Sequence, residues 1–542
     1  MLPKCFPCRC SLTSAVGVQP GARNAYNQAL RRSHGYIRSP DHVRLHHFHG
    51  GLSLPQHKAS SAGQPIGHCP LPAELDIPLL QHSGASAQAC VASGDHVLAG
   101  QLIGNAVDGR SANVHSPASG TVLAISERAL AHPPGVVCMH VRIAVDCVQR
   151  AVTPLPTIDW QQADTGQIVE RARQCGIVGM GGAGFPSAEK LAITRDTLIL
   201  NGAECEPYIA CDDRLLREHA NDVVMGGRVM RRATGAARVL LAVETAMPEA
   251  LAACTQAITE CGAGEIELVA VPTVYPAGGE RQLIRVLTGD EVPRGGLPRD
   301  IGVVVQNVAT ARALWRAIAH GEASTRRIVS VTGPGVQRPG NWDVAIGTPI
   351  SHVLAQAGGY SEAAARLIIG GPMMGVALAN DDYPISKTSN CVLVLAASQL
   401  RDPATEMPCI RCGDCAVVCP AQLLPQQLLA QVRGEQWPRA QQQGIFDCIE
   451  CGCCDLACPS QIPLTQHFRH GKTEVRVRAL EAEQANAARL RHEHRQQRLS
   501  ARDKEREQRH SAQQKALSTT DAVTTAIARA KARRDAQETD PS

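Results

Sequence analysis

Residues Cys409 to Pro420 read CIRCGDCAVVCP, and residues Cys448 to Pro459 read CIECGCCDLACP. Both stretches have the spacing C-x2-C-x2-C-x3-C-P, and the second starts 39 positions after the first. Three thiolates so close together on one turn of backbone can grip one inorganic cube. The fourth cysteine, just before a proline, starts a helix that points away and so reaches a second cube. A repeated triplet followed by Cys-Pro is therefore a pattern for two adjacent one-electron centres.

This is the ligand spacing of a bacterial two-cluster ferredoxin, in which thiolates hold [4Fe–4S] clusters. On that pattern one cluster takes Cys409, Cys412, Cys415 and Cys458, and the other takes Cys448, Cys451, Cys454 and Cys419. Cys453 is off-register in the second copy and is read as a non-ligand. Structural zinc also uses C-x2-C pairs, but a four-ligand zinc site gives no reason for the repeated triplet.

At 542 residues the chain is too long for one core and implies three or four domains. Only 3% of residues are aromatic, so the cores must be aliphatic and alanine-rich. The net charge of +4 belongs to the tail: residues 471–542 hold 16 Lys/Arg against 11 Asp/Glu, leaving −1 for the rest. Charges of both signs are interspersed there, which argues against nucleic-acid binding. Eight of the 22 cysteines are assigned to clusters and the others show no disulfide framework, which points to a reducing compartment, the cytoplasm. No run approaches the roughly 20 apolar residues of a membrane span. The opening MLPKCFPCRCSLTSAVGV has no clean apolar core, so no secretory signal is expected.

The predicted architecture is multidomain α/β and α+β. Residues 1–45, with Cys5, Cys8 and Cys10, read as a disordered or mis-started leader. From 46 to 152 short apolar runs alternate with Gly, Pro and Ser, a β signature. Val91 to Gly104 (VASGDHVLAGQLIG) and Val114 to Ile125 (VHSPASGTVLAI) resemble the halves of a biotinyl/lipoyl-like barrel sandwich. Such carriers present a modifiable lysine at a hairpin tip. Asn105 to Asn113, NAVDGRSAN, has none, so a structural or docking domain is expected. Residues 153–322 alternate helical patterns with runs at Thr197–Leu200, Arg238–Val243, Glu267–Val271 and Ile301–Val305, which predicts an α/β domain. Residues 323–380 are similar to a β-grasp-like (SLBB-type) module, with a helix at Ile350–Gln356. The cluster domain occupies 398–470. Residues 471–542 form a charged, Ala-rich tail, read as a solvated helix or disordered.

Gly176 to Pro186 reads GIVGMGGAGFP. Gly179, Gly181, Gly182 and Gly184 permit positive φ and close approach of backbone to a ligand. Successive exposed amides followed by a helix make a nest for an anion, hence a phosphorylated cofactor. No Gly-Lys-Ser/Thr follows, so this is not a P-loop; Gly179, Gly181 and Gly184 fall at G-x-G-x-x-G spacing, but a lone match to that pattern is a weak signal. A glycine-rich turn with packing duties alone is the competing reading.

The loop resembles the flavin- and NADH-binding loop of the NADH-oxidising subunit of respiratory complex I. Asn201 to Pro207 (NGAECEP), Tyr275 to Glu280 (YPAGGE) and Gln306 to Thr310 (QNVAT) resemble three further segments of that family, in the same order. With the barrel-sandwich start and the double cysteine motif, residues 46–470 resemble the RnfC family, the C subunits of Rnf-type ion-translocating electron-transport complexes. The resemblance implies that Gly179, Gly181, Gly182, Ala183 and Gly184 approach FMN and its phosphate. It also implies that Phe185 stacks on a nicotinamide-nucleotide ring and that Lys190 contacts phosphate or NADH. Asn201, Glu204 and Glu206 then line the cofactor pocket, with Glu280, Asn307 and Thr310 opposite. Met180 stands where complex I relatives carry a cation, Ala203 where they carry a carboxylate, and Gly279 replaces an acidic residue.

A hydride donor and one-electron clusters need a flavin between them. The implied role is a peripheral subunit relaying electrons between NAD(H) and a low-potential, ferredoxin-type carrier through FMN and two [4Fe–4S] clusters. The implied partners are the other membrane subunits of an Rnf-type complex, at the cytoplasmic face of the inner membrane. Two alternatives stand beside it: a soluble diaphorase subunit of a hydrogenase or formate dehydrogenase, and a non-enzymatic iron–sulfur carrier whose nucleotide site has decayed.

Overall fold

The computed structural model describes residues 44–133, 135–400, 406–518 and 520–537. The expected leader, with Cys5, Cys8 and Cys10, lies outside the described residues except for its last two positions. Two units separate at Arg469 and His470.

In the first unit, Glu74–Pro78, Val137–Val145, Gly120–Ala129 and His96–Val97 form an antiparallel sheet in that order. Gln88–Ala89, Leu102–Asn105 and Val114–His115 form a second. Leu75, Ile77, Val97, Ile103, Val122, Val141 and Ile143 fill the space between them. Alternate residues of each strand turn inward, as a sandwich requires. The lysine-free stretch 105–113 joins two strands of the smaller sheet, and its Gly109 lies against the Glu189 carboxylate of the next domain.

The α/β domain is built on a parallel sheet ordered Ile266–Val271, Arg238–Glu244, Thr197–Gly202, Val303–Asn307. Thr197–Gly202, Arg238–Glu244 and Val303–Asn307 are Val/Leu/Ile-rich and buried on both faces, while the edge strand Ile266–Val271 is only partly buried. Helices Cys211–Thr234 and Val308–His320 cross on one face so closely that a Cβ on Gly226 would lie 2.0 Å from the Ala311 carbonyl oxygen. Helix Thr165–Gln174 begins at a capping box, Asp164 accepting from the Gln167 amide and Gln167 from the Asp164 amide. The last strand starts at Val303 rather than Ile301, because Pro298–Ile301 turns as a 3-10 helix and Gly302 takes φ +71°.

The β-grasp-like module contains helix Ile350–Gln356, where the sequence places it. Its sheet runs Gly67–His68, Gly340–Ala345, Arg326–Thr332, Cys391–Ala396, Ala364–Ile369, Val376–Ala377. It thus draws two strands, Gly67–His68 and Cys391–Ala396, from outside 323–380, partners that local pattern does not name. Residues 44–63, ahead of the sandwich, form a strap over other modules. His46 donates to Val286 O at 2.8 Å, Gly51 to Val418 O at 3.0 Å, and Leu52 bridges with Tyr275.

In the cluster domain the two copies share backbone as well as cysteines. Positive φ recurs 39 positions apart at Arg411 and Glu450 (both 59°), Gly413 and Gly452 (83° and 75°), and Gln422 and Gln461 (both 54°). The kinks at Arg411 and Gly413, and at Glu450 and Gly452, turn the backbone within each triplet just before helices Asp414–Val417 and Cys453–Ala457 begin, and those at Gln422 and Gln461 follow the helices.

The described residues of the second unit, which starts at His470, carry most of helix Leu464–Ser518 and all of Thr520–Gln537. Its side chains from Arg476 onward are almost all exposed, with i,i+4 pairs such as Arg489–Glu493 and Arg509–Glu505. No described helix is long and apolar enough to cross a membrane.

Candidate functional site

In the parallel sheet, Asn201 and Asn307 face each other in register at the carboxyl ends of neighbouring strands. Strand Thr197–Gly202 sends its chain to one side, while Val303–Asn307 lies on its other side, so the crevice of an open α/β sheet falls between them. The glycine loop closes over this point. A bridge pairs Val178 with Pro186, and Gly179 donates to the Phe185 carbonyl at 2.8 Å. Between them Gly181, Gly182 and Ala183 are exposed, and no protein acceptor meets their amides among the described residues. Gly182 takes φ +139°, and a Cβ there would meet nothing within 4 Å. Open space facing free amides suits an anionic ligand. The helix after the loop, Ser187–Leu191, is only one turn long, so the amides rather than a helix dipole supply the field.

The other predicted residues gather here, and most are already engaged. Asn201 donates to Gly278 O at 2.9 Å and accepts from Ala203. Asn307 donates to Asp212 at 2.7 Å, caps the helix behind it, and lies against Gly181. Thr310 accepts from the Met180 amide at 2.9 Å, pinning the loop. Lys190 donates to Glu280 at 3.2 Å and to Val305 O at 3.1 Å, at a partly exposed edge. Phe185 is half-buried, its backbone tied to Gly179. Glu204 accepts from the amides of Asp212 and Asp213 and the thiol of Cys211. The grouping Glu204, Cys211 and Asp212 is thus a hydrogen-bonded turn. Glu206 faces elsewhere, accepting from the amides of Met373 and Met374 at 2.7 and 3.0 Å, and so ties the α/β domain to the β-grasp-like module.

Electrostatics set this pocket apart. Burial pushes Glu204, Glu206 and Glu244 each up to about 7, and Asp212 is raised as well. Two cations outside every sequence motif oppose this. Lys58, on the strap, donates to the Glu204 carbonyl oxygen and lowers all four carboxylates. Arg327, buried in the β-grasp-like sheet, donates to Met180 O at 2.7 Å and to Lys387 O. A guanidinium from another module thus reaches the turn at Met180. No local pattern marks either residue.

The cluster cysteines fall into two sets. Cys409, Cys412, Cys415 and Cys458 line one cavity, with Ile410, Arg411 and Gln426. Cys419, Cys448, Cys451 and Cys454 line a second, with Cys453 on its wall. These are the groupings expected from the spacing. Zinc bonds of about 2.3 Å place tetrahedral sulfurs about 3.8 Å apart. Among the described residues, no three of these sulfurs lie within 4.8 Å of one another. The donor set is all thiol and spaced around a volume, which suits a cube and not a single ion. The two cavities differ in surroundings. Cys409 and Cys412 are exposed, whereas Cys451, Cys453 and Cys454 are buried. Cys451 and Cys453 share an apolar cluster with Leu52, Cys205 and Tyr275, and the Tyr275 hydroxyl donates to the Cys451 carbonyl at 2.7 Å.

Four family models match in chain order: an RnfC barrel sandwich hybrid domain over 46–146, a Nuo51 FMN-binding domain over 172–316, an SLBB domain over 328–377, and a 4Fe-4S dicluster domain over 408–462. The chain is 45% identical over 489 residues to the C subunit of the ion-translocating oxidoreductase complex of Erwinia tasmaniensis, covering 90% of this chain and 60% of that one. It is 43% identical over 495 residues to the same protein of Serratia proteamaculans, covering 90% and 70%. The chain belongs to the RnfC family of ion-translocating oxidoreductase subunits. It spans 60% and 64% of the Erwinia and Klebsiella pneumoniae members. A crystal structure of an H2-reduced NAD+-reducing [NiFe]-hydrogenase aligns at TM-score 0.41 and 19% identity, covering 58% of this chain and 63% of that one.

Membership of the RnfC family fixes what the modules are: a barrel sandwich without a carrier lysine, an FMN-binding domain, an SLBB module and a dicluster domain. The residues fit those groups: free loop amides and open space at Gly182 for FMN, and two thiol-lined cavities for iron–sulfur cubes.

Proposed function

We propose that this protein relays electrons between NAD(H) and the membrane subunits of an Rnf-type complex, at the cytoplasmic face of the inner membrane, in exchange with a low-potential ferredoxin-type carrier. Bound FMN supplies the conversion between a two-electron donor and one-electron centres. The amides of Gly181, Gly182 and Ala183 hold its phosphate or ring edge, with Asn307 against the loop and Thr310 fixing it. Lys190 and Glu280 sit at the open edge, where a nicotinamide nucleotide enters, with Phe185 beside them. Cys409, Cys412, Cys415 and Cys458 hold one cluster, and Cys419, Cys448, Cys451 and Cys454 the other. Ion movement belongs to partner subunits, since no described helix can span a bilayer.

The observation that carries this reading is the junction between the flavin domain and the second thiol cavity. Tyr275, from the segment that follows the flavin pocket, is buried and bonded to the backbone of Cys451. A decayed carrier would have no reason to keep that junction beside an intact amide cradle. The cavity of Cys451 is thus read as the one nearer the flavin, and the exposed cavity of Cys409 as the one that meets the partner. The test is iron, sulfide and flavin analysis of protein purified without oxygen, followed by NADH titration. Bleaching of flavin absorbance followed by cluster reduction is expected; zinc in place of iron, or flavin-loaded protein that NADH leaves unbleached, overturns the reading.

A further inference from the structure

The acidic segment of the flavin site is held from a distance by the N-terminal strap. Gln56 accepts from the Tyr208 amide at 2.8 Å, and His57 stacks on the Tyr208 ring at 4.8 Å with a 14° tilt. Asn341 donates to Ser61 O at 3.0 Å, and Leu52 pairs in both directions with Tyr275. His57 sits at φ +51°, a bend in the strap immediately before Lys58. Lys58 therefore has a built position, with its ammonium on the Glu204 carbonyl.

That ammonium forms no ion pair with a carboxylate among the described residues; its charge acts at longer range on Glu204, Cys205 and Glu206 from NGAECEP, on Asp212 at the start of helix Cys211–Thr234, and on Glu244 at the end of its strand. Asp213 acts on Glu244 from the same helix, and Arg327 faces Glu204, Asp212 and Cys211 from the sheet beyond. Both Glu244 carboxylate oxygens are buried, with the Thr273 hydroxyl as the one neighbouring side-chain donor and no well-formed hydrogen bond to either oxygen. Charging these acids in low dielectric is costly without a cation, and a second anion in the same crevice raises the cost.

We propose that Lys58 is a positioning residue of the flavin site: as counter-charge to Glu204, Asp212 and Glu244, it lets an anionic flavin phosphate bind beside three buried carboxylates. This rests on the flavin reading above. The strap is then part of the site, although it lies more than 110 residues before the glycine loop.

The test uses the full chain with Lys58→Met and Lys58→Arg, in two measurements. In FMN titrations by fluorescence quenching, Lys58→Met should weaken binding about tenfold or more at pH 8, and much less at pH 6, where the acids take up protons. Lys58→Arg should stay close to wild type, and iron content should not change in either. In thermal melts of flavin-free protein, the deficit of Lys58→Met should grow as pH rises from 5 to 8. The sign follows because the acids are charged only at the upper end, where the missing cation is felt. FMN affinity within twofold of wild type at both pH values, an equal loss at both, or a melting deficit independent of pH overturns the proposal. Wild type that takes up no FMN defeats the flavin reading instead, and the flavin-free melts still decide whether Lys58 balances the acids.

Discussion

The phenol of Tyr275 donates a 2.7 Å hydrogen bond to the carbonyl oxygen of Cys451, joining residues 176 positions apart. Tyr275 is almost wholly buried and also bridges the strap at Leu52. One residue therefore touches the flavin domain, the strap and the wall of a cluster cavity. Tyr275→Phe leaves a buried carbonyl unpaired and should destabilise the junction by about 1–3 kcal/mol. The expected readout is loss of cluster absorbance at lower urea, with unchanged iron content at the start.

Cross-ligation gives a second expectation. Cys412→Ser and Cys458→Ser lie 46 positions apart but share one cavity, so each should remove close to half of the iron and the same spectroscopic signal. Cys419→Ser and Cys448→Ser should remove the other. Iron analysis with electron paramagnetic resonance of dithionite-reduced protein checks this; Cys412→Ser and Cys419→Ser abolishing the same signal would refute the pairing.

At the glycine loop, Gly182→Glu places a carboxylate in open space facing three free amides, on a backbone at φ +139°. Strain of about 1–3 kcal/mol accompanies any L side chain there, and the new charge repels a phosphate. FMN content should fall at least about tenfold while iron is retained, because the loop and the cluster cavities share no residue.

Glu244 carries a pH expectation. Burial raises it to about 7, above the unfolded carboxylate range, so its ionisation opposes folding. Its proton-bound form contributes stability that is full below about pH 4.5 and is lost as pH rises through about 7. Glu244→Gln should therefore raise stability at pH 8 by on the order of 1–3 kcal/mol and leave pH 4.5 nearly unchanged. Denaturation midpoints at the two pH values measure it.

Much of the site is legible in the chain because its chemistry is local. The C-x2-C-x2-C-x3-C-P spacing fixes which thiols can reach one cube, since a few residues of backbone set the span, and the structure gathers the same two sets of four. The glycines of 179–184 mark an amide cradle for the same reason, and the strands around Asn201 and Asn307 follow from apolar runs of the expected length. The helix after the loop contributes less than the pattern implies, because five residues cannot build a useful dipole. Glu206 is expected in the pocket wall, yet its carboxylate is taken by the Met373 and Met374 amides, partners that periodicity cannot name.

The sequence by itself determined the two cysteine triplets and the glycine cradle, which depend on residues within a few positions of one another, and the order of the modules, each marked by its own local pattern. Only the tertiary structure decided that Lys58 and Arg327 face the acidic segment, and that Cys451 is the cluster cysteine bonded to Tyr275 of the flavin domain. Those contacts join segments tens to hundreds of residues apart, where packing and charge compensation choose the partner and no spacing rule in the chain records the choice.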